Sequence, residues 1–306
     1  MSRDKYKKDS KLKQYIGNLK RNGILLNVFG FIPLIWAILL VMLFAWGIMV
    51  ALAEPAWYLD NNTSFLVKEF TFNNFVQAIQ KFKQQISDGS GIRWVGFLEM
   101  FWNSCWYSIG GTFMKIATTV CFAYAVARFE FRGRKFLYGF ILLQMMLPLY
   151  GQTAGNYALL SKLGLVDNYG FLLALGAGHG MYFMILYAFF RNLPKGYEEA
   201  AEIDGADPFT IFAKVMLPMS KPIITALTIM TFISYWNDYE GVIIYLKSYP
   251  TLSSVLYTIR ELAFTLGLST PEYFAGILIS VSPVAILFIT FNKQIMENVT
   301  IGGLKG

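Results

Sequence analysis

Long stretches without a single charge constrain this chain more than any other feature. Ile24 to Ala53, Phe136 to Ala158 and Tyr169 to Phe190 each run for 20 residues or more with no Asp, Glu, Lys or Arg. At about 1.5 Å per residue, each is long enough as a helix to cross a hydrocarbon core of about 30 Å. Lipid offers nothing to unpaired backbone groups, so runs of this kind are expected as helices. Composition agrees: 56% of the 306 residues are apolar, 17% aromatic and 15% charged, which is not the balance of a soluble domain.

Six spans are expected, at 24–53, 100–127, 136–157, 169–190, 222–245 and 273–292, giving an all-α membrane protein. Pro33, Pro148 and Pro283 fall inside spans and predict kinks. Residues 1–23 form a basic tail, with eight Lys or Arg against Asp4 and Asp9, and residues 293–306 form a second tail. The apolar run after the first tail is about twice as long as a signal-peptide core of 7 to 15 residues, so span one is expected to be kept. Basic residues collect in the two tails, at 128–135 and at 191–221, while the alternate segments carry far fewer. The positive-inside rule then puts both termini in the cytoplasm and accounts for the net charge of +7 without nucleic acid.

The segment 54–96 is expected outside, as a short surface helix followed by a loop through Asp88-Gly89-Ser90-Gly91. One histidine and two cysteines leave too few ligands for a metal centre, and none is expected. Cys105 and Cys121 lie sixteen positions apart in one run, about 24 Å along a helix, and cannot pair there.

The cytoplasmic segment 191–221 is more informative than a linker. Tyr197, Ala200, Ala201 and Asp204 recur at helical spacing, and Gly205 suits a left-handed helix end. Asp207 can cap a second helix that has Pro208 in its first turn and Phe209, Phe212, Ala213 and Met216 on one stripe, ending at Pro218. Two readings of this helix-turn-helix stand side by side: an amphipathic hairpin that joins two spans, or a small-sided face that docks into a groove on another protein.

Glu199-Ala200-Ala201, Asp204-Gly205-Ala206, Phe212 and Leu217-Pro218 resemble the EAA motif of permease subunits in bacterial ABC importers. Arg128 to Lys135, Leu163-Gly164-Leu165, Trp236-Asn237 and the tail Gly302-Gly303-Leu304-Lys305-Gly306 are similar to the second permease subunit of the maltose-type carbohydrate importers. The resemblance runs from about Phe70 to the C-terminus. It implies the type I importer permease fold in a bacterial plasma membrane, with this chain forming half of a pore for an oligosaccharide or glycoside. The implied partners are a second permease subunit, two ATPase subunits that carry ATP and Mg, and an extracytoplasmic sugar-binding protein. No phosphate-loop motif and no Gly-Lys pair occur here, so no nucleotide cofactor is expected on this chain and hydrolysis falls to the partners. Glu199, Ala200, Ala201, Asp204, Gly205, Ala206, Phe212 and Pro218 are the implied ATPase-coupling residues, and the C-terminal tail is a further ATPase contact. The alternatives are a secondary transporter and an ABC permease for a non-sugar solute.

Within the spans, Lys115 is costly in lipid and is expected to face a water-filled cavity, to snorkel, or to form a structural pair. His179, between glycines, reads as an interhelical hydrogen-bond partner or a ligand contact. Aromatic and neutral polar groups suit a sugar, which makes Gln144, Thr228, Tyr235, Trp236 and Asn237 candidates for the substrate path. Against this, membrane threonines often bond their own i−4 carbonyl, and Trp236 reads equally as an interfacial anchor.

Overall fold

The computed structural model describes residues 31–61, 66–88, 91–147, 151–177, 180–262 and 267–301. Pro148, His179 and the two terminal motifs lie outside them. The described chain is mostly helical and divides into two compact units, Met1–Asn74 with Thr270–Ala275, and Phe75–Ser269 with Gly276–Gly306.

In the first unit, helix α1 (Phe31–Leu52) is exposed and apolar around its whole circumference over most of its length, the surface that lipid rather than water accepts. The last carbonyls of a helix have no intrahelical donor, and here the returning chain supplies donors. Asn74 Nδ2 donates to Ala51 O and Ala53 O (2.9 and 2.7 Å), and the Thr71 amide donates to Leu52 O. Helix α2 (Pro55–Asp60) starts on a proline, whose missing N–H costs nothing in a first turn.

The second unit begins with helix α3 (Asn73–Lys81), which starts in the first unit and runs into a hairpin of strands β1 (Lys83–Asp88) and β2 (Gly91–Gly96). The strands pair antiparallel from Lys83↔Gly96 to Asp88↔Gly91. The expected surface helix is therefore present as α3, but the all-α expectation is corrected, since two paired strands follow it. Ile86 and Val95 are buried while Ile92 and Trp94 are exposed, so the pleat is apolar on both faces and its alternation is hidden in the sequence.

Helix α4 (Phe97–Arg128) has 32 residues, about 48 Å of rod. Helices α5 (Arg134–Met146) and α6 (Gln152–Lys162) replace the single span expected at 136–157. The break follows from Leu147, held extended (ψ 116°) as a residue before proline must be, and from Gly151 at φ 76°. Helices α7 (Phe171–Leu175) and α8 (Gly180–Asn192) likewise replace one helix at 169–190.

Helices α9 (Gly196–Ile203) and α10 (Pro208–Ile211) follow, and α10 continues through a π-helical turn, Phe212–Met216, into α11 (Leu217–Trp236). Pro218 therefore does not end a helix, against expectation, and Pro208–Trp236 is one continuous element. The wide turn bonds the Leu217 amide to Phe212 O, five residues back, which eases the usual clash between a proline ring and the carbonyl one turn earlier. The expected span 222–245 thus begins earlier and stops at Trp236, with helices α12 (Glu240–Tyr245) and α13 (Leu252–Leu262) beyond it.

Helix α14 (Thr270–Ile301) contains Pro283. The carbonyl of Ile279 loses its helical donor to that proline and accepts from Ser282 Oγ (2.7 Å). Within the second unit, Gly276 lies so close to the buried Phe82 ring that a β-carbon would collide with it. Buried Val120, Tyr124, Phe183, Leu186, Phe190, Met216 and Leu227 form the core where α4, α8 and α11 pack. Among the described residues, four helices are long and apolar enough to cross a membrane: Phe31–Leu52, Phe97–Arg128, Pro208–Trp236 and Thr270–Phe291.

Candidate functional site

The segment from α8 to α11 carries the first candidate site. Helix α9 ends on Asp204, and Gly205 takes the left-handed conformation (φ 82°) that side chains resist. The Ala206 amide donates to Ala201 O (2.9 Å) and the Gly205 amide to Glu202 O (3.0 Å), the double bond pattern that closes a helix on glycine. Asp207 then caps α10, accepting from the amides of Phe209 and Thr210 and from the Thr210 hydroxyl. Those bonds, the hydroxyl first, hold its carboxyl below the usual carboxylate range.

Tyr197, Glu199, Ala200, Asp204, Gly205 and Pro218 are exposed, whereas Ala201, Ala206 and Phe212 are half-buried against the core of α4, α8 and α11. The predicted coupling residues therefore divide between an outward face and an inward one. Sequence reasoning missed Ile203 and Phe209, which are 86% and 74% exposed beside that outward face. Two large apolar side chains are thus left bare next to charged ones. Ile203 is out of phase with the small-residue stripe, and Phe209 shares a stripe with Phe212 and Met216, which are half-buried and buried.

A second site forms where α7 gives way to α8. Breaking a helix within an apolar layer strands carbonyl groups, and three side chains from neighbouring helices reach them. Tyr235 OH donates to Leu175 O (3.3 Å), Thr118 Oγ1 lies 2.8 Å from Gly176 O, and Lys115 Nζ donates to Ala177 O (2.9 Å). Lys115 and Tyr235, two predicted path residues, thus meet at one break, and His179 belongs to the undescribed part of it.

The other path candidates scatter. Trp236 is 5% exposed and its Nε1 donates to Ser280 O (3.0 Å), fixing α11 to α14. Asn237 Nδ2 caps its own helix at Ile233 O (2.8 Å), and Gln144 is exposed on α5. Thr228 Oγ1 donates to Ile224 O (2.7 Å), and the residue lines a cavity of about 590 Å³ between α4, α11 and α14. Phe113 and Ile116 of α4 and Phe232 and Phe291 opposite make the cavity largely apolar. At the N-terminal end of α4, Tyr107 OH donates to Asp238, Asn103 Nδ2 to Pro250 O, and the Leu252 amide to Ser104 Oγ, which ties the loops around α12 to that helix.

Residues 115–298 match the family of binding-protein-dependent transport system inner membrane components. The chain belongs to that family. It is a transport permease with membrane-spanning helices. The permease is 28% identical over 265 residues to the arabinooligosaccharides transport system permease protein AraQ of Halalkalibacterium halodurans, covering 85% of this chain and 90% of that one. It is 26% identical over 212 residues to the maltodextrin transport system permease protein MdxG of Bacillus subtilis, covering 69% and 76%. In fold it is similar to a chain in the crystal structure of a bacterial ABC transporter that imports the acidic polysaccharide alginate, with a TM-score of 0.70 and 22% identity over 88% of this chain and 96% of that one. The family match covers the break in α7–α8, the segment α9–α10 and the cavity's lining except for Ile109, Thr112 and Phe113.

Proposed function

We propose that the permease forms half of the translocation pore of an ATP-driven importer for an oligosaccharide or related glycoside. The family membership carries this reading, and the carbohydrate names of its relatives favour the solute class. Helices α5 with α6 and α7 with α8 would each make one crossing, so that residues 24–292 cross six times with both termini in the cytoplasm. The segment 54–96 would then face outward, towards a solute-binding protein.

Segment 191–221 would dock on an ATPase subunit. Glu199, Ala200 and Asp204 present the outward face, Ile203 and Phe209 add apolar contact, and Gly205 fixes the angle between the helices. A second permease subunit would supply the other half of the pore, and ATP with Mg would sit on the partner ATPases. Lys115 and Tyr235 at the broken helix, together with Thr228 on the cavity wall, are the residues placed to line the path. Of the other candidates, His179 lies outside the described residues, Gln144 and Asn237 line neither the break nor the cavity, and Trp236, buried with its Nε1 on Ser280 O, serves as an anchor between α11 and α14.

Purification in mild detergent tests the proposal. An ATPase and a second permease are expected to co-purify with the intact chain, and the preparation should take up maltotriose or an arabinotriose in vesicles only with ATP. The Gly205→Asp variant is expected to insert and assemble yet lose uptake, since Asp tolerates the left-handed backbone. Uptake without ATP by a chain that purifies alone would establish a secondary transporter instead.

A further inference from the structure

The sequence motif points to Glu199, but the structure turns its neighbour inward. Glu198 Oε1 lies 3.2 Å from Arg128 Nε, with the Arg128 side chain only 7% exposed and that of Glu198 17%. The Nε–H does not aim at the carboxylate closely enough for a hydrogen bond, so the attraction is chiefly that of an ion pair. Arg128 is the last residue of α4, and its Nη2 donates to Leu193 O (2.9 Å), in the link between α8 and α9. One turn earlier on the same face of α4, Tyr124 OH sits 3.4 Å from the same Glu198 oxygen. The Tyr124 ring packs on Phe212, where the π turn begins, at 4.7 Å between centroids.

The end of α4 therefore grips the segment at three points: before α9, on α9, and beyond α10. The chain itself connects α9 only to α8 and α10. A charge pair with so little solvent around it holds its geometry, because separating the partners would leave each charge poorly hydrated. Farther along, α4 carries Lys115 and Thr118, which hold the carbonyls of the α7–α8 break.

We infer that Glu198 and Arg128 form a tether that transmits movement of α9 into α4, and so to the broken helix, in parallel with the covalent route through α8 and α11. The inference rests on the proposed docking of α9 to an ATPase. Glu198 is a positioning residue in this scheme, acting through Arg128.

A reporter can stand at the end of the rod. Glu130, exposed and two residues past Arg128, accepts a fluorescent maleimide as Glu130→Cys once Cys105 and Cys121 are replaced by serine. In the complex with its co-purified ATPase, Mg·ATP with vanadate is expected to shift the emission of that label. Glu198→Gln and Arg128→Gln should each reduce the shift at least fivefold per assembled complex, and the exchanged pair Glu198→Arg with Arg128→Glu should recover at least half of it. Tyr124→Phe, which leaves the ion pair intact, is the mild variant and should reduce the shift about twofold while folding normally. Thermal unfolding of each complex separates transmission from support, since a merely structural pair lowers stability without changing the shift of the assembled fraction. A full shift in Glu198→Gln, or no shift in the wild-type complex despite bound ATPase, overturns the tether and leaves the proposed function standing. Absence of any co-purifying ATPase overturns the proposed function, and the tether with it.

Discussion

Replacing Gly205 separates backbone strain from steric exclusion. Its φ of 82° lies where an L-residue with a β-carbon is disfavoured by about 1–2 kcal/mol. A β-carbon built there meets nothing within 4 Å, so the chain itself offers no steric objection. Alanine should therefore raise the opening equilibrium of the turn roughly 5- to 30-fold, the factor that corresponds to such a cost. Asparagine, larger but tolerant of the left-handed region, should raise it less, and valine, branched at the β-carbon, should raise it most. Hydrogen exchange of the peptide containing the Ala206 amide, which donates to Ala201 O, reads this equilibrium in the detergent-solubilised chain. The expected order of exchange is Gly, Asn, Ala, Val from slowest to fastest. Alanine as protected as glycine, or asparagine faster than alanine, would refute the strain argument, the latter in favour of side-chain size.

Three further outcomes are expected. Trp236→Phe removes the donor to Ser280 O and some buried area, so it should destabilise the chain by about 1–2 kcal/mol and lower Tm with no sugar present, leaving KM for uptake unchanged. Gly276→Ala drives a β-carbon into the Phe82 ring and should cost about 1–3 kcal/mol, read by thermal unfolding and relieved by Phe82→Leu. Asp207, with its carboxyl held low in the folded chain, stabilises α10 above about pH 4, where it is ionised folded or unfolded; that contribution is lost as pH falls through the lower folded value. Exchange at the Thr210 amide should accelerate over that interval in the wild type, and Asp207→Asn should flatten the dependence.

The membrane class and the helix end and start at 203–208 were legible because each rests on local chemistry. Uncharged runs announce helices, and the order Gly205, Asp207, Pro208 gives a helix stop, a cap and a start within four residues. The hairpin at Lys83–Gly96 was not legible, since buried Ile86 and Val95 alternate with exposed Ile92 and Trp94 on strands too mixed to show a period of two. Pro148 announces a kink near Leu147–Gly151, but hydropathy, which does not distinguish one long apolar helix from two short ones, hid that this is a full break and hid the break at Leu175–Gly180 altogether. Trp236 looked like a sugar platform or an interfacial anchor because its bond to Ser280, 44 residues away, leaves no mark nearby. The pair Arg128–Glu198 is non-local in the same way, and of two adjacent glutamates only the fold decides which turns inward.

The π turn at Phe212–Met216 inserts one residue more than regular winding needs, and each residue is worth about 100° of rotation. That single insertion sets the azimuth of everything from Leu217 to Trp236. With it, Ala226 and Leu227 are buried while Thr225 and Thr228 front the cavity. Deleting one residue from the stretch would restore an even spiral and swing both sets off their walls together, so α10 and the wall of the cavity are geared through the phase of one helix.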